Sequence, residues 1–203
     1  MIYLEIDYDN YWNPEIYFEN VEINKKNIEY TIEDLDFSAK KVMICGRGET
    51  SHPNFHPRFS TPTTDIDSEI YVTVDHDPNY VHHITRNGIF VLSLIVNPDL
   101  VKKIHSIGGT IYWFSTKEIK SDVPELIYGK YPIGNSGLAA ISLASYLSTK
   151  FILLSGIKLS EHYQQFLPGK ELAFKKVLDD GNKIFSLDGM LAEKISYDDW
   201  CNL

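Results

Sequence analysis

The residue types able to do chemistry in this chain gather at the ends of apolar runs. Ile44-Cys45-Gly46-Arg47-Gly48-Glu49-Thr50-Ser51 closes the first of them. Glycine at 46 and 48 lets a backbone approach a ligand closely, and Thr50 or Ser51 would cap a following helix or donate to an oxygen. The run lacks a third glycine and carries Glu49, which repels phosphate, so it reads equally as a tight strand-to-loop turn. Gly134-Asn135-Ser136-Gly137 opens a stretch, Leu138 to Leu147, that is small or apolar on every side. A helix start with unpaired N–H groups and little side-chain bulk favours a negative or carbonyl-bearing group. The competing reading is a capped core helix whose glycines serve close packing. A third group follows Leu153-Leu-Ser-Gly156, where Lys158 offers a point charge for phosphate and His162 a general acid or base. Asp75 ends a further run and is the second candidate proton carrier. An acid there holds a ribose hydroxyl or a substrate-bound magnesium ion, or else caps the turn before Pro78.

The histidines of His52-Pro-Asn-Phe-His56 and Asp75-His76-Asp77-Pro-Asn-Tyr-Val-His82-His83, with Asp65 and Asp67 nearby, raise the question of a protein-held metal. Their spacing fits no standard zinc pattern, and adjacent His82 and His83 diverge by about 100° on a helix. No metal site is expected, and no resident cofactor is defined. Tyr112, Trp113 and Phe114 read as core, whereas Tyr128 and Tyr131 flank the glycine-rich helix start and would stack on a flat ring. Cys45, inside an apolar strand, is expected to be inert. The chain has no Ser-His-Asp order, nucleophile elbow or Walker motif.

These groups need elements to position them. Lys41 to Gly46, Glu69 to Asp75, Gly88 to Val96, Thr110 to Ser115, Phe151 to Gly156 and Lys183 to Leu187 are apolar nearly throughout. Such runs mean strands covered on both faces, hence a parallel sheet flanked by helices. Helices are predicted over Pro78 to Asn87, Pro98 to Ile107, Ser136 to Leu147 and Glu171 to Asp179. Asn97 before Pro98 is an N-cap signal, and Gly88, Gly108 and Gly181 fall just past helix ends. Strand and helix alternate, giving an α/β fold with a Rossmann-like, doubly wound, mostly parallel sheet over residues 39–203. Residues 1–38 differ: Tyr3-Leu-Glu-Ile-Asp, Glu15-Ile-Tyr-Phe-Glu, Val21-Glu-Ile and Ile28-Glu-Tyr-Thr-Ile alternate with period two. That pattern predicts a small antiparallel β appendage, with turns at Trp12-Asn13-Pro14 and Asn24-Lys25-Lys26-Asn27. It would either cover a sheet edge or pair with a second copy in a homo-oligomer.

Composition bounds the function. The 203 residues are 43 % hydrophobic and 13 % aromatic, enough for a real core and too apolar for disorder. With 19 basic and 28 acidic residues the net charge is -9, so a nucleic-acid partner is not expected, because phosphate neutralisation needs a basic face. No apolar run reaches the ~18 residues of a membrane span, so no membrane partner is expected. The start Met1-Ile-Tyr-Leu-Glu has no basic region of a secretory signal. Two cysteines, Cys45 and Cys201, form no framework, which suits a reducing cytoplasm.

Taken in order, Cys45-Gly46-Arg47-Gly48-Glu49-Thr50, Gly134-Asn135-Ser136-Gly137 before an alanine-rich helix, and Ile152-Leu-Leu-Ser-Gly156-Ile157 resemble two related families. One is the archaeal-type 6-hydroxymethylpterin pyrophosphokinase-like family, with motility accessory proteins of similar fold. The other is the bacterial CMP-sialic-acid-dependent sialyltransferases. Both typically carry a Gly-Asn-Gly-Pro-Ser turn, a Thr-Ser-Gly helix start and a Gly-Ile-Asp strand end. The resemblance runs over roughly Lys40 to Trp200. It implies a nucleotide- or nucleotide-sugar-dependent transferase with a small-molecule, nucleotide-type ligand. Gly46, Arg47, Gly48, Asn135, Ser136 and Gly137 would line its pocket, with Gly156 and Lys158 at the edge. Arg47 and Glu49 stand where the families have asparagine and proline, Asn135 replaces the threonine, and Lys158 replaces the aspartate. The last change reverses a charge beside the ligand and keeps a second expectation open: a non-catalytic small-molecule-binding or interaction domain on the same fold.

Overall fold

Apolar runs become parallel strands here because neither face is left to water. The computed structural model describes residues 14–48, 52–64, 66–116, 119–126, 135–157, 175, 177–187 and 191–203. Its strands are β1 (Tyr30–Thr31), β2 (Lys41–Cys45), β3 (Arg58–Ser60), β4 (Ile70–Thr73), β5 (Ile89–Ser93), β6 (Thr110–Phe114), β7 (Phe151–Ser155), β8 (Lys183–Ser186) and β9 (Glu193–Lys194). The helices are α1 (Pro14–Asn24), α2 (Pro98–Ser106), α3 (Ser136–Tyr146) and α4 (Tyr197–Cys201). One sheet holds the nine strands of the described residues, parallel throughout, in the order β1-β6-β5-β4-β3-β2-β7-β8-β9. The Rossmann-like doubly wound α/β architecture is therefore the observed one. Among the described residues no helix is long and apolar enough to cross a membrane.

Alternation along the strands builds the two faces. Val42, Ile44, Val72, Ile152 and Leu154 point to one side and pack under α3, whose residues Gly137 to Ser145 are all buried. On the other side Tyr71, Phe90, Leu92 and Trp113 pack against α1 and α2, while Met43, Cys45, Phe151 and Leu153 pack against Trp200 of α4. From β2 the chain steps outward through β3, β4, β5 and β6, then returns through α3 to place β7 on the other flank of β2. Strand order thus reverses between β2 and β7, and their carboxyl ends open the crevice where ligands bind in such sheets.

Among the described residues the antiparallel N-terminal extension is not seen. Residues 15–23, expected as strands, belong to α1; the expected turn at 24–27 is the end of α1 followed by a short 3-10 turn (Lys25–Asn27). β1 within the Ile28–Ile32 run is a strand, but it pairs parallel with β6. The physical reason lies in which residues α1 buries: Tyr17, Asn20, Val21 and Asn24, spaced three and four apart. Two of the four are polar, so a hydrophobicity pattern hides the stripe. Asn20 Nδ2 donates to the Ile95 carbonyl at 3.0 Å, and Asn24 Nδ2 donates to those of Leu94 and Val96 at 2.9 and 2.8 Å. Of the runs invoked for pairing with a second copy, Glu15 to Glu19 and Val21 to Ile23 are helical, while β1 stands at the edge of the sheet. Tyr3-Leu-Glu-Ile-Asp lies outside the described residues.

Elsewhere Pro78–His83 is a 3-10 helix in place of an α-helix reaching Asn87, its start capped by Asp77 accepting from the Asn79 amide at 2.8 Å. Of the predicted helix 171–179, residues 175 and 177–179 are described, and they are helical. β3, β9 and α4 are additional to the predicted elements. Three residues long, with arginine and serine at its ends, β3 carries no period to read, yet all of it is buried.

Candidate functional site

Gly46 and Gly48 donate their amides to the carbonyls of Ser155 and Gly156, both at 2.8 Å, so the ends of β2 and β7 are stitched together. Gly156 has φ of 66°, the left-handed turn that carries the chain off the strand. A Cβ on Gly46 would stand 2.6 Å from both the Gly156 carbonyl oxygen and Ile157 Cδ1, and one on Gly137 would stand 3.1 Å from the same Cδ1. The two glycine turns do converge, as the resemblance implies. What they converge on is the Ile157 side chain, itself buried. The helix start is also occupied from within: Asn135 Oδ1 accepts from the amides of Gly137 at 2.7 Å and Leu138 at 3.4 Å. The sequence expectation of open amides facing a cleft is thus replaced by a self-capped helix end packed on Ile157.

Polarity concentrates instead at the end of β4. Ser136 Oγ accepts from the Val74 amide at 3.2 Å and donates to Thr73 Oγ1 at 3.4 Å, tying the start of α3 to this strand. Asp75 follows at once. Its Oδ1 accepts from the Asp77 amide at 3.0 Å, and the Tyr80 hydroxyl bonds the same carboxylate. Burial pushes the Asp75 carboxyl up to about 6, although the Asp77 amide, the Tyr80 hydroxyl and the Arg47 charge all act to lower it. Next to it, burial holds His76 below the usual histidine value, against the opposing charge of Asp77. The Tyr17 hydroxyl lies 3.3 and 3.2 Å from the two ring nitrogens of His76, with the rings 4.6 Å apart, and burial followed by the Asp75 charge raises its own pKa.

The end of β4 therefore holds a carboxyl able to change charge near neutrality, a half-buried histidine and two tyrosine hydroxyls, with the Arg47 guanidinium near enough to act on the carboxyl. Such a set can move a proton and orient an oxygen-rich substrate. Of the candidates read from sequence, Gly46, Arg47, Gly48, Asp75, Asn135, Ser136, Gly137 and Gly156 all lie at this carboxyl edge. Lys158 and His162 lie outside the described residues, as do Glu49, Thr50, Ser51, Tyr128, Tyr131 and Gly134. Tyr17 and Tyr80 were not among the candidates. For Tyr17 the only signal is the three-and-four spacing of Tyr17, Asn20, Val21 and Asn24.

The histidine-rich loop after β2 has other uses. His52 Nδ1 lies 2.8 Å from Ser155 Oγ. His56 Nδ1 lies 2.6 Å from Glu69 Oε1, and Arg58 donates to His56 Nε2 at 2.8 Å. Because arginine only donates, the His56 proton sits on Nδ1 and points at the carboxylate. Burial raises the Glu69 pKa, yet the Arg58 amide at 2.7 Å and the His56 bond outweigh it and hold the carboxyl below its ordinary value. Among the described residues no three His, Cys, Asp or Glu side chains converge to hold a metal ion. Burial pushes the Cys45 thiol up to about 12, which accords with the inert role read from its strand. A cavity of about 850 Å³ lined by Lys25, Thr31, Ile119, Lys120 and Asp122 lies at the β1 edge, away from the crevice.

No family model matches this chain, and no curated protein and no solved structure matches it.

Proposed function

We propose that the chain is a nucleotide- or nucleotide-sugar-dependent transferase, of glycosyl- or pyrophosphoryl-transfer type, acting at the carboxyl ends of β2, β4 and β7 in a reducing cytoplasm. The observation that carries the reading is Asp75: a mostly buried carboxyl at the end of β4, two strands from β2, titrating at about 6 and neighboured by Arg47 and Ser136. A general base works best when its pKa lies near the operating pH, so Asp75 is suited to take a proton from an attacking hydroxyl. Arg47 supplies charge for a leaving phosphate and Ser136 a hydroxyl that orients it, while positioning supplies much of the rate. His162 as second proton carrier and Lys158 as a point charge for phosphate rest on the sequence motifs alone. Magnesium would enter with the substrate's phosphates. The order of glycine motifs shared with the pterin pyrophosphokinase-like and sialyltransferase families supports the same reading.

One observation favours a second reading, a non-catalytic small-molecule-binding or interaction domain. Asn135 caps the helix start and Ile157 fills the space between the glycines, so the seat that those families' motifs suggest is narrowed. A thermal-shift panel of nucleotides, CMP-sugars and pterins, with and without magnesium, separates the readings. A ligand at 100 times its dissociation constant stabilises by about 2.7 kcal/mol, a visible rise in midpoint. The transferase reading expects a shift with one nucleotide class and turnover that Asp75→Asn abolishes while the shift survives. A shift without turnover supports the second reading, and no shift from any of the panel removes the first.

A further inference from the structure

We propose that Ser155 and His52 form a nucleophile–base pair for acyl transfer, with the Gly156 amide donating to the developing oxyanion. Ser155 is the last residue of β7, at the strand-order reversal, and its Oγ lies 2.8 Å from His52 Nδ1. The chain turns off directly behind it through the left-handed Gly156, φ 66°. Both carbonyls of this corner are held, Ser155 by the Gly46 amide and Gly156 by the Gly48 amide, each at 2.8 Å. The amides of Gly156 and Ile157, by contrast, have no backbone acceptor among the described residues. A pinned backbone whose next two amides find no backbone acceptor among the described residues, and an imidazole in hydrogen-bond reach of the serine before them, are the parts an acyl-transfer centre requires.

The nearest competing nucleophile is disabled. Cys45 is the cross-strand neighbour of Ser155 on the same face, and burial keeps its thiol protonated. The centre is also distinct from Asp75: β7 and β4 are three strand spacings apart, about 14 Å. In the reaction Ser155 Oγ attacks the acyl carbon of an ester and its proton passes to His52 Nδ1. The bond to the alcohol oxygen breaks, and the leaving alkoxide takes that proton from His52. Water, giving a proton to His52, then attacks the acyl-serine; the proton returns to Ser155 Oγ as the carboxylic acid departs. Because Ser155 is 1 % exposed, the acyl group must be small.

The test treats the unaltered full chain with phenylmethylsulfonyl fluoride and with p-nitrophenyl acetate, and maps adducts by peptide mass spectrometry. The expected result is one sulfonyl adduct on Ser155, with p-nitrophenolate release slowed about 100-fold or more in His52→Gln and abolished in Ser155→Ala. Circular dichroism confirms that the variants fold, and the mapping on the unaltered chain needs no variant. Absence of an adduct at Ser155, modification elsewhere only, or equal rates in His52→Gln overturns the proposal. The readout is independent of nucleotide binding, so its failure leaves the transferase reading standing and the reverse.

Discussion

Replacing Asp75 by asparagine isolates the charge that the β4 end holds against its own stability. In the unfolded chain this carboxyl titrates at the usual 3.8, and in the folded protein at about 6. Between those values the folded state binds more protons than the unfolded state, so stability falls as pH rises through the window and levels off above about 6. The ionised aspartate thus destabilises the fold by ~3 kcal/mol at neutral pH, at 1.4 kcal/mol per pH unit. Asparagine keeps the Oδ1 acceptor for the Asp77 amide at 3.0 Å and removes the charge. It gives up the Arg47 attraction and the Tyr80 donation, which trims the gain. Urea denaturation of both proteins at pH 4, 5, 6 and 7.5 reads the effect. The variant should be more stable by about 1–3 kcal/mol at pH 7.5, and the difference should vanish at or below pH 4. For a domain of this size that is a midpoint rise of roughly 2–12 °C. A variant less stable than the parent at pH 7.5, or a difference that does not change with pH, would refute the account of a desolvated carboxyl.

The other expectations are shorter. Gly46→Ala sets a Cβ 2.6 Å from a backbone oxygen that cannot step aside, so chemical denaturation should show a loss of about 2–3 kcal/mol. Asn24→Ala strands the buried carbonyls of Leu94 and Val96; the expected loss is ~2 kcal/mol, with hydrogen exchange accelerated across residues 14–24 ahead of the sheet. Glu69 has its carboxyl held below the ordinary value, so its contribution is present above about pH 4.5 and is lost as pH falls through the folded value. Glu69→Gln should therefore be less stable than the parent at pH 7, with the gap closing in strong acid, as followed by denaturation across that range.

Six of the nine strands could be read directly because Lys41 to Cys45, Ile70 to Thr73 and their like are apolar on consecutive residues, and only a sheet covered on both faces tolerates that. The cap at Asn97 was equally legible, since it needs only its own side chain and the next turn of backbone. What lay beyond local pattern was decided by partners distant in the chain. α1 is a helix because Asn20 and Asn24 find carbonyls some seventy residues away; without those acceptors the alternating acids of Glu15 to Ile23 read as a strand. β3 is a strand because β2 and β4 offer it hydrogen bonds on both sides. The glycines at 46 and 137 announced close approach, but not of what; only tertiary packing sets Ile157 between them. Asp75 was visible as a strand-end acid, whereas its elevated pKa arises from desolvation, which depends on everything packed around it and on no residue's identity alone.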